Sequence, residues 1–320
     1  MSNLTRLALI GHRTDPKLPP GWRVEMMMQS GIGRRSSLVA MLCALSLVTS
    51  WSAARTTTRP SGEGDVLAAL ARWRPRFEKA GMRYLVAGPF ILAGDGTAEQ
   101  LAQYRDGTVL AAARALEATY FRTPLREPVV ICLFESAEPY KRLAGEWFHQ
   151  ADVPHFGFYR HAERVMFMNV ATGTGTLVHE LTHALIAPDF PTVPSWFNEG
   201  LASLYEQCSL SGDTITGLPN WRLPALQKAI RDGTLRPLKE LIEDPDFYRH
   251  DLVGINYAEA RYLMLYLQQK KLLHDYYSRF RDHAAEDPAG LRSLKEVIAP
   301  QSLEDVETRW RAWVLQLRYP

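Results

Sequence analysis

Thr176-Leu-Val-His-Glu-Leu-Thr-His-Ala-Leu185 is an apolar stretch with helical spacing, interrupted by His179, Glu180 and His183. On an α-helix four residues make slightly more than one turn, so His179 and His183 project from one face, one above the other. Together they can hold a single metal ion. Glu180 is rotated by about 100° from His179. That offset puts its carboxylate beside the ion, as a general base for the attacking water and not as a ligand. A surface helix can carry His-x-x-x-His by accident, so the string needs support from elsewhere in the chain.

Support comes sixteen positions after His183, in Pro194-Ser-Trp-Phe-Asn-Glu-Gly-Leu-Ala-Ser-Leu-Tyr-Glu206, where Glu199 lies on a second stretch with helical spacing. A catalytic zinc site takes three protein ligands and keeps a fourth position open, and two histidines with one carboxylate is a known set. The predicted ligands are therefore His179, His183 and Glu199, and the predicted cofactor is Zn2+. Ala187-Pro-Asp-Phe-Pro-Thr-Val-Pro194, with three prolines, is expected to end the first helix and to stiffen the approach of the second. Thr174 or Thr176 is the expected N-cap of the first helix and Ser195 that of the second.

His179-Glu-Leu-Thr-His183 followed by Trp196-Phe-Asn-Glu-Gly-Leu-Ala202 resembles the gluzincin metallopeptidases, whose third ligand is a glutamate on the next active-site helix. The second motif is close to their aminopeptidase branch, whereas the size and layout look more like the shorter peptidase-MA-like proteins of bacteria. The resemblance implies a sheet edge beside the zinc helix that pairs with extended substrate. Phe156–Arg160 and Arg164–Asn169, two strand-like runs around the turn His161-Ala-Glu163, are the candidates for it; an ordinary hairpin is the plainer reading. The resemblance also implies a tyrosine that donates to the developing oxyanion. Tyr257, at the start of a predicted helix, is the candidate, although Tyr262 and Tyr266 show that tyrosines there can serve packing alone. Tyr159, His161 and His250 are lesser candidates. Two departures stand out. Some gluzincins place an aspartate four residues after the ligand glutamate; Ser203 stands here, able to accept a hydrogen bond from a ligand histidine but bringing no charge. The Gly-x-Met-Glu-Asn motif that holds a substrate's free amine in the aminopeptidases is missing, since Met168-Asn169 has no glutamate between. Endopeptidase activity is therefore favoured over aminopeptidase activity.

Residues 1–54 read as a leader. Gly33-Arg34-Arg35-Ser36-Ser37 is a positive segment, Leu38–Trp51 is an apolar run of 14 residues, and Ser52-Ala53-Ala54 offers small residues for a signal peptidase. Residues 38–51 as a short membrane anchor is the alternative. Met26-Met27-Met28 is a plausible translation start. The leader holds six Lys/Arg and two Asp/Glu of the totals of 37 and 35, so residues 55–320 carry 31 basic and 33 acidic side chains. A net charge of −2 without basic, aromatic-rich clusters argues against nucleic acid as a partner. Membrane contact is expected only through an uncleaved leader. Cys132 and Cys208 are expected as buried free thiols in an exported, periplasmic or secreted protein.

Periodicity predicts a helix over 65–80, a strand over 83–92 bent or ended near Gly88-Pro89, a long helix over 97–121, a strand over 128–134 and a helix from Ser136 to about Gly145. Residues 209–220 read as a polar loop. Helices follow over 223–232, 238–243, 254–271, 274–283 and 303–317, the last with Trp310, Trp313 and Leu317 as a core stripe. The fold class is α+β: a small mixed sheet with active-site helices and a mainly helical C-terminal part. The division is leader 1–54, an α/β part 55–172 with the substrate edge, and 173–320 with the zinc helices. The expected function is hydrolysis of peptide bonds in a peptide or protein substrate, with Glu180 as base. An inactive zinc-stabilised scaffold and a cell-wall peptide amidase are the other readings.

Overall fold

The run Val129-Val-Ile-Cys-Leu-Phe134 has no polar residue on either side of its pleat, so it can lie only where both faces are covered. In the computed structural model, which describes residues 62–150 and 152–319, it is the central strand of a five-stranded mixed sheet and is buried throughout. The strands are β1 (Arg83–Ala87), β2 (Phe90–Gly94), β3 (Val129–Phe134), β4 (Gly157–Arg160) and β5 (Val165–Asn169), in spatial order β1-β2-β3-β5-β4. The β2, β3 and β5 strands are parallel, and β1 and β4 are antiparallel edges. The predicted leader lies outside the described residues.

Alternation sorts the sheet's side chains into two cores. Leu92, Val129, Ile131, Leu133, Met166 and Met168 face one cluster, and Ile91, Val130, Cys132, Phe134, Val165 and Phe167 face the other. The second cluster is closed by α1 (Glu63–Lys79) and α4 (Ala137–Phe148) through Trp73, Phe77, Tyr140 and Leu143. The first is covered by α2 (Ala98–Tyr104), α3 (Ala111–Thr119) and α5 (Gly175–Asp189), and it continues without a break to Val314 near the C-terminus. The N-terminal and C-terminal parts thus share one apolar cluster. Burying such a side chain is worth about 1.5–3 kcal/mol.

Several expectations change. The strand expected over 83–92 is a hairpin: Gly88 adopts φ +59°, which L side chains rarely do, and Pro89 completes the turn between β1 and β2. The helix expected over 97–121 keeps Thr97 as its N-cap, accepting from Gln100 N at 3.1 Å, but a π-helical segment, Arg105–Leu110, separates α2 from α3. The loop expected over 209–220 contains a hairpin, β6 (Cys208–Ser211) and β7 (Thr214–Gly217), against α3. Its pattern is too short and polar to read as strands, and packing decides it.

The C-terminal part consists of α6 (Ser195–Leu204), α7 (Leu223–Arg231), α8 (Leu238–Ile242), α9 (Val253–Gln269), α10 (Leu273–Asp282), α11 (Leu291–Ile298) and α12 (Leu303–Gln316). The sequence reading missed α11, a helix of eight residues with little periodicity to display. Trp310 is fully buried, with Trp313 and Leu317 packed against the same cluster. Cys132 and Cys208 are buried and free, one in each core. No helix among the described residues is long and apolar enough to cross a membrane.

Candidate metal centre

The α5 helix is apolar nearly all round: Leu177, Val178, Leu181, Ala184, Leu185 and Ile186 are buried, as expected for a helix enclosed by its neighbours. His179 and His183 lie within that enclosure. The helix runs through Pro188 to Asp189 before turning, one residue further than the prolines suggest. Proline is tolerable there because only the last turn loses a bond, and Phe190 N still donates to Ile186 O at 2.7 Å. Ser195 is the first residue of α6 and not its cap; Pro194 takes that place, its carbonyl accepting from Phe197 N and Asn198 N. Thr174 precedes α5 without a side-chain capping bond.

Packing of α6 on α9 then sets the depth of Glu199. A Cβ on Gly200 would lie 3.1 Å from Ala260 Cβ and 3.2 Å from its carbonyl oxygen, so the glycine allows a close crossing that a larger residue would disturb. The result brings three predicted residues together. His179 Nε2 is 3.0 Å from His183 Nε2 and 3.3 Å from Glu199 Oε2, and His183 Nε2 is 3.5 Å from the same oxygen. Ligands about 2.0 Å from a tetrahedral ion are separated by roughly 3.3 Å, which these distances match. All three side chains are buried, and Glu199 Oε2 has no hydrogen-bond partner. A buried carboxylate oxygen without a donor is costly unless a cation serves it. The group could hold a metal ion.

The far side of each imidazole has an acceptor. His183 Nδ1 is 2.9 Å from Asn198 Oδ1, and His179 Nδ1 faces Glu206 Oε1 at 3.2 Å. Acceptors at Nδ1 keep the proton there and leave the Nε2 lone pairs for an ion. Glu206 is itself gripped by Arg222, whose Nε and terminal nitrogen donate to Oε2 at 3.2 Å and Oε1 at 2.8 Å, and by Asn220 Nδ2 at 3.1 Å. Ser203, the expected acceptor, is buried with its hydroxyl unpaired and plays no part. Glu206 restores the charge that Ser203 lacks. It follows Glu199 by seven residues, two helical turns, a spacing visible in the sequence but unread. Close approach also matters here: a Cβ on Gly175 would lie 2.3 Å from Glu206 O, so α5 begins against that backbone.

Electrostatics follow from this geometry. Burial lifts the Glu199 carboxyl, but the charges and hydrogen bonds of His183 and His179 win and hold it well below the usual range. Burial likewise opposes charge on Glu206, yet Arg222 and His179 bring it down to about 2. Against burial, Glu199 and Glu206 raise His179 to about 10, and Glu199 raises His183. The field favours positive charge between the imidazoles, and a divalent cation satisfies it as protons do. For Glu180, partly exposed beside the cluster, burial raises the pKa against the pull of His179 and His183.

Among the remaining candidates, Tyr257 is brought to the site. It is buried, its ring packs on Phe247 at 5.2 Å with the Arg222 guanidinium 5.0 Å away, and burial and Glu199 raise its pKa well above the usual phenol value. Tyr159 points from β4 to the same sheet face as α5, and His161 stacks near it at 4.4 Å. Burial and the nearby His183 lower the pKa of His161. His250 is exposed and makes no hydrogen bond or ion pair with the cluster. Tyr248, not singled out in the sequence, donates to Glu199 Oε1 at 2.6 Å; it lies in the irregular segment between α8 and α9, where no periodicity marks it.

The centre and its setting define an α+β protein with a buried His-His-Glu group able to hold a cation. The chain matches no protein-family model and no curated protein.

Proposed function

We propose that this chain is an exported, zinc-dependent metallopeptidase of the gluzincin type, acting as an endopeptidase on peptide or protein substrates. The observation that carries the reading is the convergence of His179 Nε2, His183 Nε2 and Glu199 Oε2 within 3.0–3.5 Å, with Glu180 next to it on the same helix. His179, His183 and Glu199 would hold the ion, and that donor set suits zinc. When bound, zinc supplies the Lewis acidity that amide hydrolysis needs.

The chain's own residues do the rest. Glu180, its pKa raised by burial, is suited to take a proton from the attacking water and hand it to the leaving amine, a contribution of typically 10²–10⁴-fold. Tyr257, kept protonated by burial and by Glu199, is the proposed donor to the developing oxyanion, worth about 3 kcal/mol. The β4 strand is a sheet edge that touches α5, with Tyr159 on the site face. An extended substrate can add to such an edge through main-chain hydrogen bonds, which read any peptide sequence. No glutamate stands between Met168 and Asn169 to hold a free amine, and Asn169 is itself committed, donating to His155 O at 3.0 Å.

The test is metal content and peptide hydrolysis of wild type, His183→Ala and Glu180→Gln side by side. One zinc per chain in wild type, lost in His183→Ala and kept in Glu180→Gln with hydrolysis down by at least about 100-fold, supports the reading. Tight zinc with no hydrolysis of unfolded protein or of cell-wall fragments would point to a binding protein. Hydrolysis of the cell-wall fragments alone would point to an amidase.

A further inference from the structure

The two oxygens of Glu199 are used differently. Oε2 faces both Nε2 atoms and has no hydrogen-bond donor, whereas Oε1 accepts the Tyr248 hydroxyl at 2.6 Å. That length is in the charge-assisted range for O–H···O⁻. A carboxylate ligand with both oxygens free can bind an ion through either or both. Capturing both takes up coordination space that a hydrolytic site must keep open for water and substrate.

Tyr248 is well braced for such a role. Its neighbour Phe247 is 2% exposed, and the Phe247 ring packs on Tyr248 at 5.3 Å and on Tyr257 at 5.2 Å. The Phe247 carbonyl accepts from Asn256 Nδ2 at 2.7 Å, and Asn256 Oδ1 accepts from Arg236 at 3.0 Å. Arg236 is also paired with Asp244 at the start of the same segment. The segment is thus tied at Asp244, Phe247 and Asn256, so the hydroxyl's position is set by the fold and not by the reach of a free loop.

We propose that Tyr248 is a positioning residue that keeps Glu199 a one-oxygen ligand, by occupying Oε1 and directing Oε2 to the ion. The inference rests on the metal reading of the His179, His183 and Glu199 group. Loss of the hydroxyl frees Oε1, which then joins Oε2 and raises the coordination number.

The experiment uses cobalt(II), whose visible absorption is strong in four-coordinate sites and weaker in five-coordinate ones, in the full chain. Wild type and Tyr248→Phe are compared at saturating cobalt. Phenylalanine keeps the ring that packs on Phe247, and circular dichroism checks that the variant is folded. The expected result is one cobalt per chain in both proteins, with the visible band of Tyr248→Phe weakened and shifted toward the five-coordinate form. A general packing defect would lower thermal stability without changing the band. Stoichiometric cobalt with the same band in both proteins overturns the inference and leaves the metal reading intact. Failure of folded wild type to bind cobalt overturns both.

Discussion

The α5 helix contributes to two buried polar centres built on opposite rules. At its C-terminal end, Asp189 is fully supplied with donors. Oδ1 accepts from Arg122 N and Thr123 N, both at 2.8 Å, and Oδ2 accepts from the Tyr277 hydroxyl at 2.8 Å and from Arg281 at 2.9 Å. In its middle, the helix offers His179 and His183 to Glu199, a carboxylate with one oxygen supplied and the other facing two imidazole nitrogens. Both carboxylates are held as anions against burial. The difference lies in what remains unsatisfied. A buried charge that closes its own hydrogen bonds ties together chain segments, here the end of α3's loop, α5 and α10. A buried charge that leaves one oxygen open keeps a place for a cation.

Removing each carboxylate should separate these roles, and the largest effect falls on the closed one. Asp189→Ala strands Arg281 beside a buried cavity and should lower unfolding stability by about 3–5 kcal/mol. Metal affinity in the protein that remains folded should be unchanged. Glu199→Ala should do the reverse, weakening metal binding strongly while denaturant unfolding of the metal-free protein moves little. Equal losses of stability in the two variants would break the contrast.

A smaller effect is expected one layer out. Glu206→Gln keeps the shape but weakens the partner of His179 Nδ1, and metal affinity measured by chelator competition should fall by about 10–100-fold. Ser203→Ala, at the position where the resemblance led us to look, should leave it unchanged, because that hydroxyl contacts no ligand. A fall with Ser203→Ala and none with Glu206→Gln would reverse the assignment.

Glu259 sharpens the comparison with a third solution, a buried carboxyl that stays neutral. It is fully buried on α9, neither oxygen has a hydrogen bond, and the nearest cation is Arg236 at 3.9 Å. Burial lifts its pKa from 4.5 to about 8, with Arg236 and Arg311 opposing. The folded state therefore holds a proton that the unfolded state releases above about 4.5. This contribution to stability is present in full below that pH and is lost as pH rises toward 8. Urea unfolding from pH 5 to 8.5 should show Glu259→Gln gaining on wild type as pH rises. A constant gap would mean that Glu259 is ionised in the fold.

Much of the architecture was legible because it is local. Strand β3 announces itself as an unbroken apolar run, and α1, α9 and α12 by periodicity. What failed was short or polar: β6 and β7 carry few apolar residues, and α11 is only two turns long. The break of the 83–92 strand into a hairpin hinged on Gly88, whose positive φ the sequence permits but does not demand.

At the metal centre the same division holds. Sequence alone determined His179, Glu180 and His183, because helical geometry relates residues three or four apart whatever surrounds them. It also indicated Glu199, through a motif at a separation one helical hairpin can span. Only tertiary structure decided that Glu206 and not Ser203 stands behind His179, that Arg222 grips Glu206, and that Tyr248 reaches Glu199 across 49 residues of chain. Those partners arrive from different elements, and their meeting depends on how closely α5, α6 and α9 pack, which no local spacing records.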